Sequence, residues 1–168
     1  MIGRVLLLAV AGALGVFALS GLFSGHDHTR QQEVAARGAE VMPFDLDRTT
    51  HRFEPRPWGG VQTVVADEPD AEQVDLVRAH LQKEAERFSR GDFDDPMAIH
   101  GMEMPGLAEL KEGAAQGRVE IGYAEVPTGA RLTYRAGERG LVDALHAWFQ
   151  AQVTDHGSHA EAMERGPS

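Results

Sequence analysis

The most informative absence in this sequence is cysteine. The chain of 168 residues contains none. Disulfide bonds, thiolate zinc sites, haem attached covalently through a CxxCH motif and lipid attachment to cysteine are therefore excluded. Any metal ion that the protein binds must be held by histidine, methionine and carboxylate side chains.

Basic side chains are also scarce. The chain has 16 Lys+Arg against 26 Asp+Glu, a net charge of -10, and no basic run. Nucleic acid is therefore not the expected partner, since its binding depends on clustered Lys and Arg. The GxSxG, HExxH, P-loop and GxGxxG motifs are absent too, so no common hydrolase, metalloprotease or nucleotide site is indicated.

The N-terminal sequence, MIGRVLLLAVAGALGVFALSGLF, places Arg4 before an apolar stretch from Val5 to Phe23. This pattern predicts a signal peptide or a transmembrane helix, and hence an exported bacterial protein that is periplasmic or otherwise extracytoplasmic. Small residues just before Gly21 favour cleavage there. If the stretch is retained, it is nearly long enough to anchor the protein in the inner membrane at about 1.5 Å a residue.

Hydrophobic periodicity after residue 41 predicts an α+β domain. Alternating apolar residues indicate one hairpin over 49–66 and a second from Val119 to Tyr134. Three- and four-residue spacing indicates helices over 74–88 and 141–153. We therefore expect an antiparallel sheet built from two hairpins, with helices on one face and a ββα pseudo-repeat. The predicted organisation is a hydrophobic helix (1–23), a polar tether (24–41), a globular domain (42–157) and a polar tail (158–168).

Methionine and histidine are concentrated between the two halves, in DPMAIHGMEMPGL. Alternate side chains of an extended segment share a face, so His100, Met102 and Met104 are expected to point the same way. Imidazole and thioether donors together suit copper, especially Cu(I), which predicts a copper site. The competing interpretation is that these methionines fill irregular gaps in the core.

The chain has 8 histidines, and several others are candidates to complete such a metal site. His51 lies in a predicted strand and His80 at the edge of a helical apolar stripe. His146 follows Asp143 by one helical turn, which would allow the carboxylate to orient the imidazole. His156 lies near a helix C-terminus, where the helix dipole favours a cationic ring. Each of these residues also has an ordinary structural interpretation in the core, on a helix surface or at a helix end.

Three hypotheses follow. The first is an exported or membrane-tethered, histidine-rich metal-binding protein, with copper as its metal. The second is a small exported enzyme that uses His51 or His146 as acid or base, or a non-haem metal held by two imidazoles and Asp143 or Asp155. A variant of it binds haem non-covalently through histidine and methionine. The third is a structural or interaction domain without a site.

Three stretches, MPFDLDRTTHRF, GDFDDPMAIHGMEMPGL and LVDALHAWFQAQVTDHG, resemble a family of short exported bacterial proteins often labelled aspartate carbamoyltransferase. The resemblance covers roughly Met42 to Gly157 and implies a shared fold there. A genuine aspartate carbamoyltransferase has two α/β domains and binds carbamoyl phosphate through a Ser-Thr-Arg-Thr loop. This chain is much shorter, and its segment from Arg48 to His51 lies in a predicted strand, so the resemblance assigns no catalytic residue.

Overall fold

The structure is a computed structural model that describes residues 20–101 and 103–163. Most of the predicted signal peptide or anchor (1–23) lies outside the described residues, and so does the predicted ligand Met102. Within the described ranges, no helix is both long enough and apolar enough to span a bilayer.

Two hairpins are the basis of a five-stranded, mostly antiparallel sheet. Its strands are β1 (Thr49–Arg56), β2 (Gly59–Ala66), β3 (Val119–Val126), β4 (Gly129–Ala136) and β5 (Ala160–Ala162). Strands β2 and β4 pair antiparallel and join the hairpins, which gives the order β3-β4-β2-β1-β5. The predicted α+β class and both hairpins are confirmed. Residues 160–162 of the predicted polar tail (158–168) form β5, which pairs parallel to β1.

Five α-helices in residues 20–101 and 103–163 accompany the sheet. They are α1 (Ser20–Val41), α2 (Ala71–Phe88), α3 (Asp94–His100), α4 (Leu107–Ala115) and α5 (Arg139–His156). The side chain of Asp70 begins α2 by accepting a hydrogen bond from the Gln73 amide at 3.1 Å, as N-cap residues do. Helix α5 ends at His156, and the next residue, Gly157, has a φ of 56°, which suits a residue without Cβ.

The hydrophobic core lies between the sheet and helices α2 and α5. Leu132 and Tyr134 of β4 pack there with Leu81 of α2 and Trp148 of α5. The interplanar angle between the Tyr134 and Trp148 rings is 72° at a centroid distance of 5.9 Å, a favourable edge-to-face arrangement. These contacts fix the two long helices against the sheet, so polar side chains that interrupt their apolar faces are held inside the domain.

The segment predicted to be a polar tether (24–41) lies in helix α1, which packs on the domain. Arg37 Nε donates to the Ile99 carbonyl at 2.6 Å, and Gln31 Nε2 donates to the Thr154 carbonyl at 3.0 Å. Val34 is 0% exposed. Helix α1 thus connects the C-terminal ends of α3 and α5 through polar contacts, which its own weakly amphipathic sequence does not reveal.

Helix α3 ends at His100, and Gly101, Glu103 and Met104 after it belong to no helix or strand. The predicted alternation of His100, Met102 and Met104 includes Met102, which lies outside the described residues, so it stays a prediction. The acidic residues Asp94 and Asp95 occupy the first turn of α3, where the helix dipole stabilises negative charge. The sequence therefore holds a short helix that begins at the paired aspartates and ends at the histidine.

Candidate functional site

A cavity lined by polar side chains lies among β1, β2 and helices α2, α3 and α5. Its volume is about 50 Å³, which is room for roughly four water molecules or for a metal ion with a bound water. The polar side chains that line it are His51, Gln62, His80, Glu84, Asp95, His100, Gln152 and His156, together with the indole of Trp148.

Each cavity histidine comes from a different element. His51 lies on β1, His80 on α2, and His100 and His156 are the last residues of α3 and α5. Strand alternation points His51 to the same side as the buried Phe53. The packing of α3 and α5 on the domain brings the two helix C-termini to this strand, although the four histidines are far apart in sequence.

Three of these imidazoles form a row, which we call the imidazole row: His51, His156 and His100. The ring centroids of His51 and His156 are 4.9 Å apart with nearly parallel planes. Those of His156 and His100 are 4.8 Å apart at an interplanar angle of 77°. The three residues are 3%, 6% and 4% exposed in row order, so the row is shielded from bulk water.

His100 is oriented by a buried carboxylate. Its Nδ1 lies 3.0 Å from Asp155 Oδ2, and Asp155 also pairs with Arg30. Burial raises the pKa of Asp155, but hydrogen bonds from His100 and Arg30 outweigh that effect and hold the pKa below its usual range. Because an ionised carboxylate can only accept hydrogen bonds, Nδ1 of His100 is the donor. In the neutral ring, the lone pair is then on Nε2.

Burial keeps the other cavity imidazoles neutral. It lowers the pKa of His51 to about 3 and that of His80 to about 4. It holds the pKa of His156 well below the ordinary value, and the neighbouring histidines act in the same direction. A neutral imidazole has one lone pair with which to bind a metal ion or accept a proton. These three rings are therefore available as ligands at neutral pH.

Two buried polar atoms near the cavity lack partners. In the described part of the chain, Nδ1 of His51 and Nε1 of Trp148 are buried without a hydrogen bond of ordinary geometry. An interaction with the His159 backbone raises the pKa of His51, but burial and the neighbouring histidines outweigh it. Buried polar atoms in proteins nearly always have a partner, either in the protein or in a bound species. The unmet hydrogen bonding is consistent with a cavity that takes up a small polar guest.

A carboxyl pair occupies another part of the cavity wall. Burial and the adjacent Asp95 raise the pKa of Glu84 to about 7. Burial raises the pKa of Asp95 too, but hydrogen bonding to Arg87 and Glu84 lowers it overall. Arg87 Nη1 lies 2.6 Å from Asp95 and 3.3 Å from Glu84. Glu84 is thus a buried acid that exchanges its proton near neutral pH.

Two other predicted ligands, Met104 and His146, are not among the residues that line this cavity. Met104 is 6% exposed and packs in the core, so its thioether is not among the groups lining the cavity. Nε2 of His146 lies 3.0 Å and 2.8 Å from the carbonyl oxygens of Arg56 and Gly59. His146 therefore holds the first hairpin against α5. Asp143, its expected partner, pairs with Arg139 on the surface.

The cavity is not a preformed metal cage. Among residues 20–101 and 103–163, no group of three or more histidine, aspartate or glutamate side chains is placed to hold a metal ion. In the imidazole row, His156 is the central ring, with His51 and His100 as its neighbours. Ligation by all three rings therefore requires at least one of them to turn. A porphyrin is far larger than about 50 Å³, so the cavity does not suit haem.

Glu84 and Gln152 were not predicted as site residues, although their positions on apolar helix faces pointed to them. Glu84 follows Leu81 by three residues, and Gln152 follows Trp148 by four, so both polar residues fall on apolar helix faces. A polar side chain at a core position needs a partner or a function. The break in each apolar stripe was the signal that pointed to these two residues.

Comparisons of the chain with protein-family models, with curated proteins and with solved structures find no match. The resemblance to short exported bacterial proteins therefore stays a prediction. What the protein does has to be inferred from the residues around the cavity.

Proposed function

We propose that this protein binds a transition-metal ion through the imidazole row, and that copper is the first ion to test. The spacing of the rings supports this proposal provided that a ring turns, because the nearly parallel rings of His51 and His156 do not direct their lone pairs at one point as they stand. A metal ion bound to a ring nitrogen lies about 3.2 Å from the ring centroid, so two imidazoles at a tetrahedral angle have centroids about 5.2 Å apart. The observed 4.9 Å and 4.8 Å fall within about half an ångström of that value.

The protonation state of the row also favours a metal ion. Metal ligands must be deprotonated, so protons compete with the metal at an ordinary histidine. The lowered pKa values of His51 and His156 remove that competition at neutral pH. Asp155 accepts from Nδ1 of His100, which is how a carboxylate commonly orients a metal-binding imidazole. Nε2 is then the ligating atom of His100.

The donors that line the cavity favour a divalent ion over Cu(I). Imidazole nitrogens suit copper, zinc, iron and nickel, and Cu(II) forms the tightest complexes in the series. Met104, which was predicted as a ligand, does not line the cavity. Met42 does line it, but its thioether stands against four imidazoles. The proposed ligands are therefore His51, His100 and His156 in place of the expected histidine and methionine set, and His80, which also lines the cavity, is proposed as a fourth.

Export and attachment to a membrane belong to the same proposal. They are supported by the apolar stretch from Val5 to Phe23 that follows Arg4. The proposed protein is thus an extracytoplasmic metal-binding protein. The hairpin-helix order occurs twice, as β1-β2-α2 and β3-β4-α5, which supports the further proposal of a ββα pseudo-repeat with an N-terminal hydrophobic helix.

Acid-base catalysis is a second candidate, favoured by the His100–Asp155 pair and by Glu84 in the same cavity. An oriented imidazole and a carboxyl group with a pKa of about 7 are suitable proton acceptors and donors. The cavity of about 50 Å³ limits the reacting part of any substrate to a few non-hydrogen atoms. Such an enzyme would retain its activity after all metal ions are removed, which separates it from the first candidate.

Metal titration of the full-length protein tests the proposal. Metal-free protein is titrated with Cu(II) and Zn(II) by calorimetry, and the copper complex is examined by electron paramagnetic resonance. We expect one ion per chain and hyperfine coupling to at least two imidazole nitrogens. Replacing the central ligand, His156→Ala, should abolish this binding, whereas His146→Gln, outside the cavity, should preserve it. Absence of stoichiometric binding, or binding indifferent to His156→Ala, would refute the proposal.

A further inference from the structure

Arg30 of helix α1 lies behind the imidazole row and is bonded to both the side chain and the main chain that place His100. Its Nε lies 2.5 Å from Asp155 Oδ1, and its Nη2 lies 2.6 Å from Oδ2. Nη2 also donates to the carbonyl oxygen of His100 at 3.1 Å. One guanidinium thus connects the last turn of α3 to the last turn of α5.

The geometry of these bonds restricts how Asp155 can turn. A guanidinium that binds both oxygens of a carboxylate fixes the plane of that carboxylate. Oδ2 then remains directed at Nδ1 of His100, 3.0 Å away. Lysine would bind as a point charge and leave the carboxylate free to rotate. Arginine therefore orients the carboxylate, which in turn orients the imidazole.

The rest of α1 holds Arg30 in place through contacts with the same two helix ends. Arg37 bonds to the Ile99 carbonyl beside His100, and Gln31 bonds to the Thr154 carbonyl beside Asp155. The Gln31 side chain also lies against Gly157, where an added Cβ would come within 2.8 Å of it. The packing of α1 on the domain and the position of His100 therefore depend on each other.

We infer that Arg30 is the positioning residue of the metal site: it holds Asp155, and through Asp155 the imidazole of His100, without touching the metal ion itself. This inference rests on the proposed function. Its consequence is that helix α1, whose first residues belong to the hydrophobic N-terminal stretch, is required for full metal affinity. Displacing α1 should weaken the site without removing any ligand.

The test compares Arg30→Ala, Arg30→Lys and the control Arg139→Ala in the full-length protein. Arg139 is a helix residue whose side chain is 92% exposed and pairs only loosely with Asp143, at 3.6 Å. The dissociation constant for Cu(II) is measured by competition with a chromophoric chelator. The paramagnetic resonance spectrum reports ligand geometry, and the Nδ1–H proton of His100 is followed by NMR in the metal-free protein.

Arg30→Ala should weaken Cu(II) binding about tenfold, as loss of an outer partner of a metal ligand does. It should also shift the copper spectrum and broaden or remove the Nδ1–H signal of His100. Arg30→Lys should give intermediate values and decides the matter if Arg30→Ala does not fold. Affinity and spectra equal to those of Arg139→Ala would overturn the inference.

The failure of this inference can be told apart from failure of the proposed function. If the unaltered protein binds no Cu(II), the metal site is refuted, and Arg30 is then judged by the Nδ1–H signal of His100 alone. Loss of that signal in Arg30→Ala, but not in Arg139→Ala, supports a positioning role. An unchanged signal refutes it.

Discussion

Replacing Glu84 with glutamine should change how the stability of the protein depends on pH. The pKa of this buried carboxyl is about 7 in the folded protein, against an ordinary value of 4.5. Below pH 4.5 both the folded and the unfolded states hold the proton. As the pH rises from 4.5 to 7, the unfolded state releases the proton first, so stability falls and then levels off.

The size of this effect follows from the two pKa values. Each pKa unit is worth about 1.4 kcal/mol, so ionising Glu84 costs about 3 kcal/mol of unfolding free energy in total. About 2 kcal/mol of that loss falls between roughly pH 5 and pH 8. Glutamine has nearly the same shape and no proton to lose. The variant should therefore gain about 2 kcal/mol relative to the unaltered protein across that interval.

Urea unfolding of both proteins without metal, at several values between about pH 5 and pH 8, measures this difference. The buried histidines also make the stability depend on pH. Their pKa values are lowered in the folded protein, so the free energy of unfolding that they contribute is lost as the pH falls. Because both proteins share those histidines, their effect cancels in the difference between the two curves. Parallel curves for the variant and the unaltered protein would refute a Glu84 pKa near 7.

Three further substitutions test the packing and the charges of the domain. Gly106→Ala should cost more than about 3 kcal/mol, because φ is 75° and an added Cβ would lie 2.0 Å from the Ala144 carbonyl oxygen. The control is Gly117→Ala, where φ is 69° and nothing lies within 4 Å of an added Cβ. It should cost only about 1 kcal/mol by urea unfolding. Equal losses of unfolding free energy in the two variants would contradict the close approach of the Ala144 carbonyl to Gly106. Asp155→Ala should destabilise the folded protein by about 3 kcal/mol, since it leaves His100 without its buried partner. A loss of unfolding free energy below about 1 kcal/mol would show that the His100–Asp155 pair contributes little to stability.

Local patterns predicted the sheet and the two long helices because those elements are set by nearby residues. In α2, Val74, Val77 and Leu81 recur at helical spacing and are buried together. Helix α1 was not predictable in this way. Its contacts join Arg30 and Arg37 to carbonyl groups far along the chain, and the peptide itself has only a weak apolar face.

The site residues likewise could not be predicted to meet from the sequence around each of them. His51 and His156 each had a reasonable local interpretation, as a strand residue and as a helix end, and nothing local showed that their rings meet at 4.9 Å. Of the methionines predicted as ligands, Met104 packs in the core, and its distance in sequence from His100 did not indicate this. Met104 does not line the cavity although it is close to His100 in sequence, whereas His51 and His156, which are distant from His100 in sequence, line it together with His100.

Strand β5 has a practical consequence for anyone who shortens this protein. It covers β1 through the pairing of His51 with Ala160 and of Phe53 with Ala162, and the Met163 amide donates to the Phe53 carbonyl at 2.9 Å. A chain that stopped at Gly157 would keep every cavity histidine but leave β1 as an open sheet edge. Unprotected edges pair with other chains, so we expect that shortened form to self-associate beside His51.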